Sequence, residues 1–492
     1  MYLGVDLGTS ELKALLLDDR HRVVGTAAEP LAIRRERPLW SEQHPEDWWS
    51  ALDRALLRLR AAHPEAMAAV RALGPSGQMH GAVLLGTDDR VLRPAILWND
   101  GRSGAECEAL ARAVPGLEAI AGNRAMAGFT APKLLWVRTH EPEVFAATTK
   151  VLLPKDWLRL HLSGEFASDA ADASGTLWLD VARRAWSNEL LAACGLDLRH
   201  VPRVVEGPDA TGQLRAALAQ RWGLRPGIAI AGGAGDNAAS AVGIGAVEPG
   251  EGFVSLGTSG VVFLADEVHR ANPAAGVHAF CHALPGRWHR MSVMLSATSA
   301  LRWARMLLGF ADETALLEAA STLDAARRAR APLFLPYLGG ERTPHADPDA
   351  TGALVGLEHA HDAVAVAYAV VEGVTFGLLD GWQALASPPG SVASLALVGG
   401  GARSALWGQM LASALGVPLA VGIASATAGA LGAARLAWLA DGGRLDEVCQ
   451  PVTAERTFEP DGDEAELLRV RHVRFRSLYP ALAPSFHATP SP

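Results

Sequence analysis

Lysine is nearly absent from this chain. Of 44 basic residues only four are lysines, Lys13, Lys133, Lys150 and Lys155, so arginine is the default cation. A retained lysine marks a place that wants a compact ammonium rather than a planar fork. Basic blocks are missing too: 44 basic against 53 acidic residues leave a net charge of −9, which argues against nucleic acid as the main partner. The cysteines, Cys107, Cys194, Cys281 and Cys449, are far apart and form no CxxC pair, so neither a disulfide framework nor a zinc site is expected. No GxxxxGK[ST] sequence occurs, which excludes a P-loop protein. The opening MYLGVDLGTS has an acid at residue 6 and no basic n-region, unlike a signal peptide. The longest uncharged stretch, residues 404–434, is interrupted by Gly408, Gly416, Pro418, Gly422, Gly429 and Gly432. It predicts helix, short strand, loop and helix in a globular core rather than a membrane span. The expected compartment is the cytoplasm.

What is present is ample material to bury. The 492 residues are 49% hydrophobic and 20% charged, which excludes disordered, collagen-like and coiled-coil chains and predicts two or three domains. Residues 1–30 predict a hairpin: an apolar run ends at Gly8-Thr9-Ser10, KALLLDD follows at once, and DDRHR turns into a third run. DWWSALDRALLRLRAAH reads as an amphipathic helix with Asp47 near its start, and Trp48 and Trp49 as packing residues. Residues 180–225 read as a variable helical region. GIAIAGGAGDN reads as a buried strand entering a glycine turn, with a helix over AASAVGIGAV. Residues 252–265, GFVSLGTSGVVFLA, repeat the opening device, so LGTS occurs twice about half a chain apart in the same strand–turn–strand context. Two domains of one internal design would produce this. A third glycine turn, GGGARS, follows SLALV and leads to a helix near Ser404. The expected division is residues 1–245 and 246–492.

Gly-Thr-Ser between strands suits phosphate, because glycine lets the backbone approach while amides and hydroxyls point at the anion. Asp6 precedes the first such turn. A carboxylate beside phosphate needs a cation between them, so Asp6 reads as a magnesium ligand, direct or through water. A plain hairpin with a capping Asp is the alternative for one turn alone; two turns and a third glycine loop favour a nucleotide. Asp236 ends a buried strand, where a carboxylate is well placed as a general base. The same segment also fits GxGxxA, a weak dinucleotide signal, and a helix-capping Asp. GQMHG and WNDGR lie at strand ends. Their His80, Asn99, Asp100 and Arg102 are candidates to hydrogen-bond a polyol, with Trp98 as an apolar wall. Taken singly, each has an ordinary structural explanation, and so does the polar loop GERTPH at residues 340–345.

Together these segments resemble the FGGY carbohydrate kinases, and within them the xylulokinases. The motifs run in order over most of the chain: MYLGVDLGTS, PLWSEQ, GQMHGAVLL, RPAILWNDGR, GFTAPKLLWV, VLLPKDWLRL, GEFASD, GDNAASAVG, SLGTSGV, FCHALPGRWH, MSVMLSA, FLPYLGGERTPH, VEGV and VGGGARS. The resemblance implies an α/β, two-domain actin-like ATPase (ribonuclease H-like) fold with ATP and sugar in the interdomain cleft. It implies ATP-dependent phosphorylation of D-xylulose to D-xylulose 5-phosphate. Asp236 matches the catalytic base, and Asp6 the acid of the Mg2+–phosphate site. Met79, His80, Asp236 and Asn237 match sugar contacts. Gly8, Thr9, Ser10, Gly257, Thr258 and Ser259 match the phosphate turns; Gly399, Gly400, Gly401, Ala402 and Arg403 match the nucleotide side. Lys13 is expected at phosphate. A homodimer is a family-level expectation. Two departures stand out: SELK places Glu11 near the phosphates, and GIASATAGALGAA lacks the acid that many relatives carry before the GAA helix. The alternatives are an FGGY kinase for ribulose, another pentulose or a polyol; a non-catalytic actin-like ATPase; and a nicotinamide oxidoreductase.

Overall fold

The structure is a computed structural model that describes residues 1–388, 390–422 and 427–487. The first lobe is built on a seven-stranded sheet. Its strands are β1 (Tyr2–Leu7), β2 (Glu11–Leu17), β3 (Val23–Pro30), β4 (Ala72–Gly77), β5 (Ala210–Gln213), β6 (Ala229–Ala231) and β7 (Ala234–Gly235). Their order is β5-β6-β4-β1-β2-β3, with β7 added beside β4. The predicted opening hairpin is there, with Asp6 facing Lys13 across it and Ser76 on the parallel side. Helices α1 (Pro45–Ala62), α2 (Thr130–His140), α3 (Pro154–Ser163) and α4 (Asp236–Ile244) belong to this half of the sequence. Pro at N1/N2 and Glu46 and Asp47 in the first turn start α1, which buries Trp48, Leu52, Leu56 and Leu59.

The second lobe repeats the plan. Its sheet runs β10 (His278–Cys281), β11 (Trp288–Met294), β9 (Gly260–Asp266), β8 (Gly252–Leu256), β12 (Leu395–Val398), β13 (Leu419–Gly422) and β14 (Ala454–Phe458). In both sheets the strand before LGTS has its hairpin partner antiparallel on one side and a later strand parallel on the other. The repeated word therefore reflects a repeated architecture. Around this sheet lie α5 (Thr298–Leu308), α6 (Glu313–Ser321), α7 (Ala363–Ala384), α8 (Ala405–Leu415), α9 (Ala428–Ala440) and α10 (Gly462–Phe486). Ser404 caps α8 by accepting from the Trp407 amide, as the GGGARS turn predicted. Residues 404–434 form a helix, a strand and a second helix, with residues 423–426 outside the described ones. Among the described residues the one helix long and apolar enough to cross a bilayer is α7, and 83% of that window is buried inside the protein. It is the core helix of the second lobe.

Two features differ from the sequence reading. Residues 180–225 are not simply helical. They hold short helices at Asn188–Ala193 and Ala216–Trp222, and strands at Ala185–Trp186, Arg203–Val205 and β5, which edges the first sheet. The second concerns α9. It follows the second sheet in sequence yet lies on the first, where a Cβ on Gly4 or Gly74 would come within 1.9 Å of the Ala430 or Ala433 carbonyl. Only glycine permits backbones this close. Helix α9 also crosses α4 at Gly243 and Gly432, so the two lobes meet through a pair of touching helices.

Candidate functional site

Asp6 and Asp236 lie where these helices meet the first sheet. The Ser76 hydroxyl donates to Asp6 Oδ1 at 2.7 Å. Asp6 Oδ2 receives no hydrogen bond among the described residues, and Gly429 of α9 is bare beside it: a Cβ there would lie 2.6 Å away. Burial pushes the Asp6 carboxyl above its ordinary pKa, against the Ser76 bond and the Lys13 charge. A free hard oxygen in an anionic corner suits Mg2+, which takes one or two carboxylates and keeps several waters. Asp236 is the first residue of α4, with Gly235 as its cap, so the capping alternative is displaced by one position. Its Oδ1 accepts from the Asn237 amide at 2.7 Å and from Asn237 Nδ2 at 2.9 Å. Burial, and then the charge of Asp6, raise its pKa to about 7.

The first turn is propped from below. Trp98 Nε1 donates to Thr9 Oγ1 at 2.9 Å, and Gln43 Nε2 donates to the Thr9 carbonyl at 2.7 Å. Trp48, read as packing, is buried but also donates to Gln43 Oε1. Glu11 pairs with Lys13 at 2.9 Å, so the extra acid in SELK faces the lysine. In the second lobe the Gly257 and Thr258 carbonyls accept from the Thr298 and Ala297 amides at 2.9 and 3.0 Å, which joins that turn to the start of α5. Gly399, at φ 92°, lies directly against Leu256, and with Gly400, Gly401, Ala402 and Arg403 forms the third loop beside the second turn. A cavity of about 610 Å3 opens there, between Gly400, Arg403 and Leu406 on one side and Leu301, Leu317 and Glu318 on the other. It has the size of a nucleoside pocket. Its α6 wall escaped sequence reading because that helix carries no unusual residues.

Where the sugar contacts are expected, Met79 is buried, with its side chain over Gly235. His80 takes the left-handed conformation, φ 69°, a strained choice for a residue with a side chain. Two groups hold it there. His80 Nδ1 donates to the Gly175 carbonyl at 2.7 Å, and the buried Lys133 ammonium donates at 2.7 Å to the carbonyls of His80 and Gly128. Burial lowers the His80 pKa to about 3, so its ring is neutral, and Nε2 presents a lone pair. Asp100 and Arg102 are placed differently. Asp100 accepts from Ser41 N and from Arg102 Nε and Nη2, and Arg102 also pairs with Glu42 at 2.7 Å and lies 3.6 Å from the Trp40 ring centre. Their polar groups brace one another behind the loop rather than opening to the cleft. Asn99 is exposed at the rim and Ser10 at the tip of its turn.

Lys155 lies outside the cleft, in a fully buried cluster with Asp156, Asp169 and Asp172 at 2.6–3.0 Å. Burial acts to lower its pKa, but three carboxylates overcome this and hold it above the ordinary value. The ammonium sits where those acids would otherwise present a cation site. Lys150 bonds the Arg199 carbonyl at the surface. Sequence reading did not single out Asn123, His278 or Arg342, which hydrogen-bond one another across both lobes; only the loop GERTPH hinted at the last.

The chain matches the N-terminal domain of the FGGY family of carbohydrate kinases over residues 1–243 and the C-terminal domain over residues 252–440. It is 49% identical to a xylulose kinase of Escherichia coli over 98% of this chain and 99% of that one. It is 48% identical to a xylulose kinase of Klebsiella pneumoniae over the same shares. The crystal structure of a xyloylose kinase from Brucella ovis superposes with a TM-score of 0.94 at 49% identity, covering 98% of this chain and 99% of that one. Motif order, repeated sheet plan and sequence identity agree, and the chain belongs to the FGGY family of carbohydrate kinases.

Proposed function

We propose that this protein is an ATP-dependent xylulose kinase that converts D-xylulose and ATP into D-xylulose 5-phosphate and ADP. The observation that carries the reading is the pair Asp6 and Asp236 at the junction of the lobes, the second carboxyl held near pKa 7. The high identity to xylulose kinases over nearly the whole chain supports the choice of sugar. Asp236 Oδ2 takes the proton of the terminal hydroxyl as that oxygen bonds to the γ-phosphorus and the bond to the ADP oxygen breaks. A base titrating near 7 is matched to this task. Asn237 orients it by fixing Oδ1. Asp6 and Lys13 face the phosphates from the first turn. Mg2+, when bound at Asp6, neutralises phosphate charge. The Gly257–Thr258–Ser259 turn and the loop from Gly399 to Arg403 cradle the nucleotide. Met79, His80, Trp98 and Asn99 surround the sugar, while Asp100 and Arg102 hold the Trp98 loop in shape. Phosphoryl transfer is mostly positioning and electrostatics, and closure of the lobes keeps water from competing as acceptor.

The division between lobes is assigned to residue 245/246, in the gap between the two family matches, and cytoplasmic residence and a homodimer complete the reading. The test is ADP release across pentuloses, hexuloses and polyols. The expected result is a strong preference for D-xylulose. A preference for ribulose, another pentulose or a polyol would overturn the substrate while leaving the kinase.

A further inference from the structure

Asn123, His278 and Arg342 form a hydrogen-bonded relay across the two lobes. Asn123 Nδ2 donates to the Ala121 and Ala279 carbonyls at 2.8 and 2.9 Å, which fixes the amide and leaves Oδ1 as an acceptor. His278 Nδ1, 3.1 Å away, therefore carries the proton. Its Nε2 is then a lone pair, which accepts from Arg342 Nη1 at 3.1 Å. Asn123 and His278 are buried, and burial lowers the His278 pKa far below its ordinary value, so the ring stays neutral. Among the described residues Arg342 has no carboxylate within ion-pair distance. Its neighbour Glu341 spends Oε1 on the Leu295 and Arg342 amides. One N–H of the guanidinium is thus engaged and the others remain.

The surroundings locate it on the sugar side. His278 stacks on Phe280 at 5.3 Å and lies 5.5 Å from Phe129, whose ring is 4.6 Å from His80. The Arg342 charge is felt at His80. The wall therefore presents an acceptor, His80 Nε2, and a donor-only cation, Arg342. A sugar hydroxyl satisfies the first. The second wants an oxygen that only accepts, which in a 2-ketose is the carbonyl.

We propose that Arg342 reads the carbonyl end of the ketose, and that Asn123 and His278 are positioning residues that aim it. This rests on the kinase reading above. It adds the reason a ketose is preferred to the polyol of the same carbon skeleton.

The experiment first measures the unaltered protein on D-xylulose and xylitol; absence of activity on both would sink the kinase reading itself. Arg342→Met is then compared with Arg342→Lys. Loss of a charged hydrogen bond is expected to raise KM for D-xylulose by about 10–100-fold. KM for ATP stays unchanged, and the preference for D-xylulose over xylitol collapses in proportion. Arg342→Lys restores part of it. His278→Leu, which removes the aiming acceptor, gives the same KM change with thermal stability monitored separately. Unchanged discrimination between the two sugars in Arg342→Met would overturn the proposal. So would an equal fall in kcat on both, which would put Arg342 on the phosphoryl group.

Discussion

Replacing Asp236 by asparagine tests chemistry and energetics at once. The carboxyl titrates near 7 in the folded protein against an ordinary 3.8. Each tenfold change in proton affinity is worth 1.36 kcal/mol, so ionised Asp236 costs the fold about 4 kcal/mol above pH 7. The sign follows from proton counting. Between about pH 4 and 7 the folded state holds a proton that the unfolded state has released, so this group's contribution falls as pH rises through that window. Asparagine has the same shape and no charge, and its carbonyl can still accept the Asn237 amide. Burying the amide returns part of the gain, which leaves about 2 kcal/mol, or a melting temperature about 2–4 °C higher at pH 8. The advantage should vanish at pH 5, where the native carboxyl is mostly protonated. Scanning calorimetry at the two pH values reads both. The same variant should lose about 10²–10⁴-fold in kcat with ATP affinity intact, the usual range for a general base. In the unaltered protein kcat/KM should fall tenfold per pH unit below about 7. A variant no more stable than the original at pH 8 would refute the strained-carboxylate argument; near-normal turnover would remove Asp236 from the role of base.

Lys13→Arg keeps the charge but changes a compact ammonium into a fork in a corner already shared with Glu11. The expected result is about a tenfold loss in kcat/KM for ATP with the sugar KM unchanged, and unchanged ATP kinetics would remove Lys13 from the phosphates. Lys155→Met strips the buried cation from three carboxylates. Chemical unfolding should show a loss of about 3–5 kcal/mol at pH 8, smaller at pH 5 because the stranded acids can then protonate; a loss below about 1 kcal/mol would contradict the ion cluster.

The parts of this protein legible in its sequence are those set by local chemistry. Gly8 and Gly257 mark turns because a glycine between two apolar runs breaks the strand, and the shared word LGTS pointed to the repeated strand–turn–strand plan of the two sheets. Ser404 was readable as a helix start for the same reason. What escaped was contact between distant segments. Nothing local to residues 428–440 says that this helix lies on the first sheet; the message is split between Gly4, Gly74 and the small residues of the helix itself. Asp100 and Arg102 looked like sugar ligands because a buried ion pair and a polar binding loop use the same letters. Arg342, His278 and Asn123 lie in three separate motifs, and only folding makes them one relay. The four lysines separate similarly: Lys133 pins a strained histidine, Lys155 neutralises an acid cluster, Lys150 binds a surface carbonyl, and Lys13 alone borders the first LGTS turn.

The placement of the two carboxylates follows from the helix pair. Helix α4 begins at Asp236 on the first sheet's edge and buries Ala241 and Ile244 against Phe253, Phe263 and Val398 of the second lobe. Helix α9 does the reverse: it comes from the second lobe and packs on β1 and β4. The two touch with almost no side chain between them, a Cβ on Gly432 falling 1.7 Å from the Ala239 carbonyl. Each helix thus belongs to one lobe by sequence and leans on the other. At this crossing the two backbones have no room to slide past one another. Asp236 at the start of α4, and Asp6 beside Gly429 at the start of α9, therefore both lie at the ends of this helix pair. Two carboxylates anchored on such closely packed backbone keep their spacing, which is what the proposed phosphoryl transfer, dependent on alignment, requires.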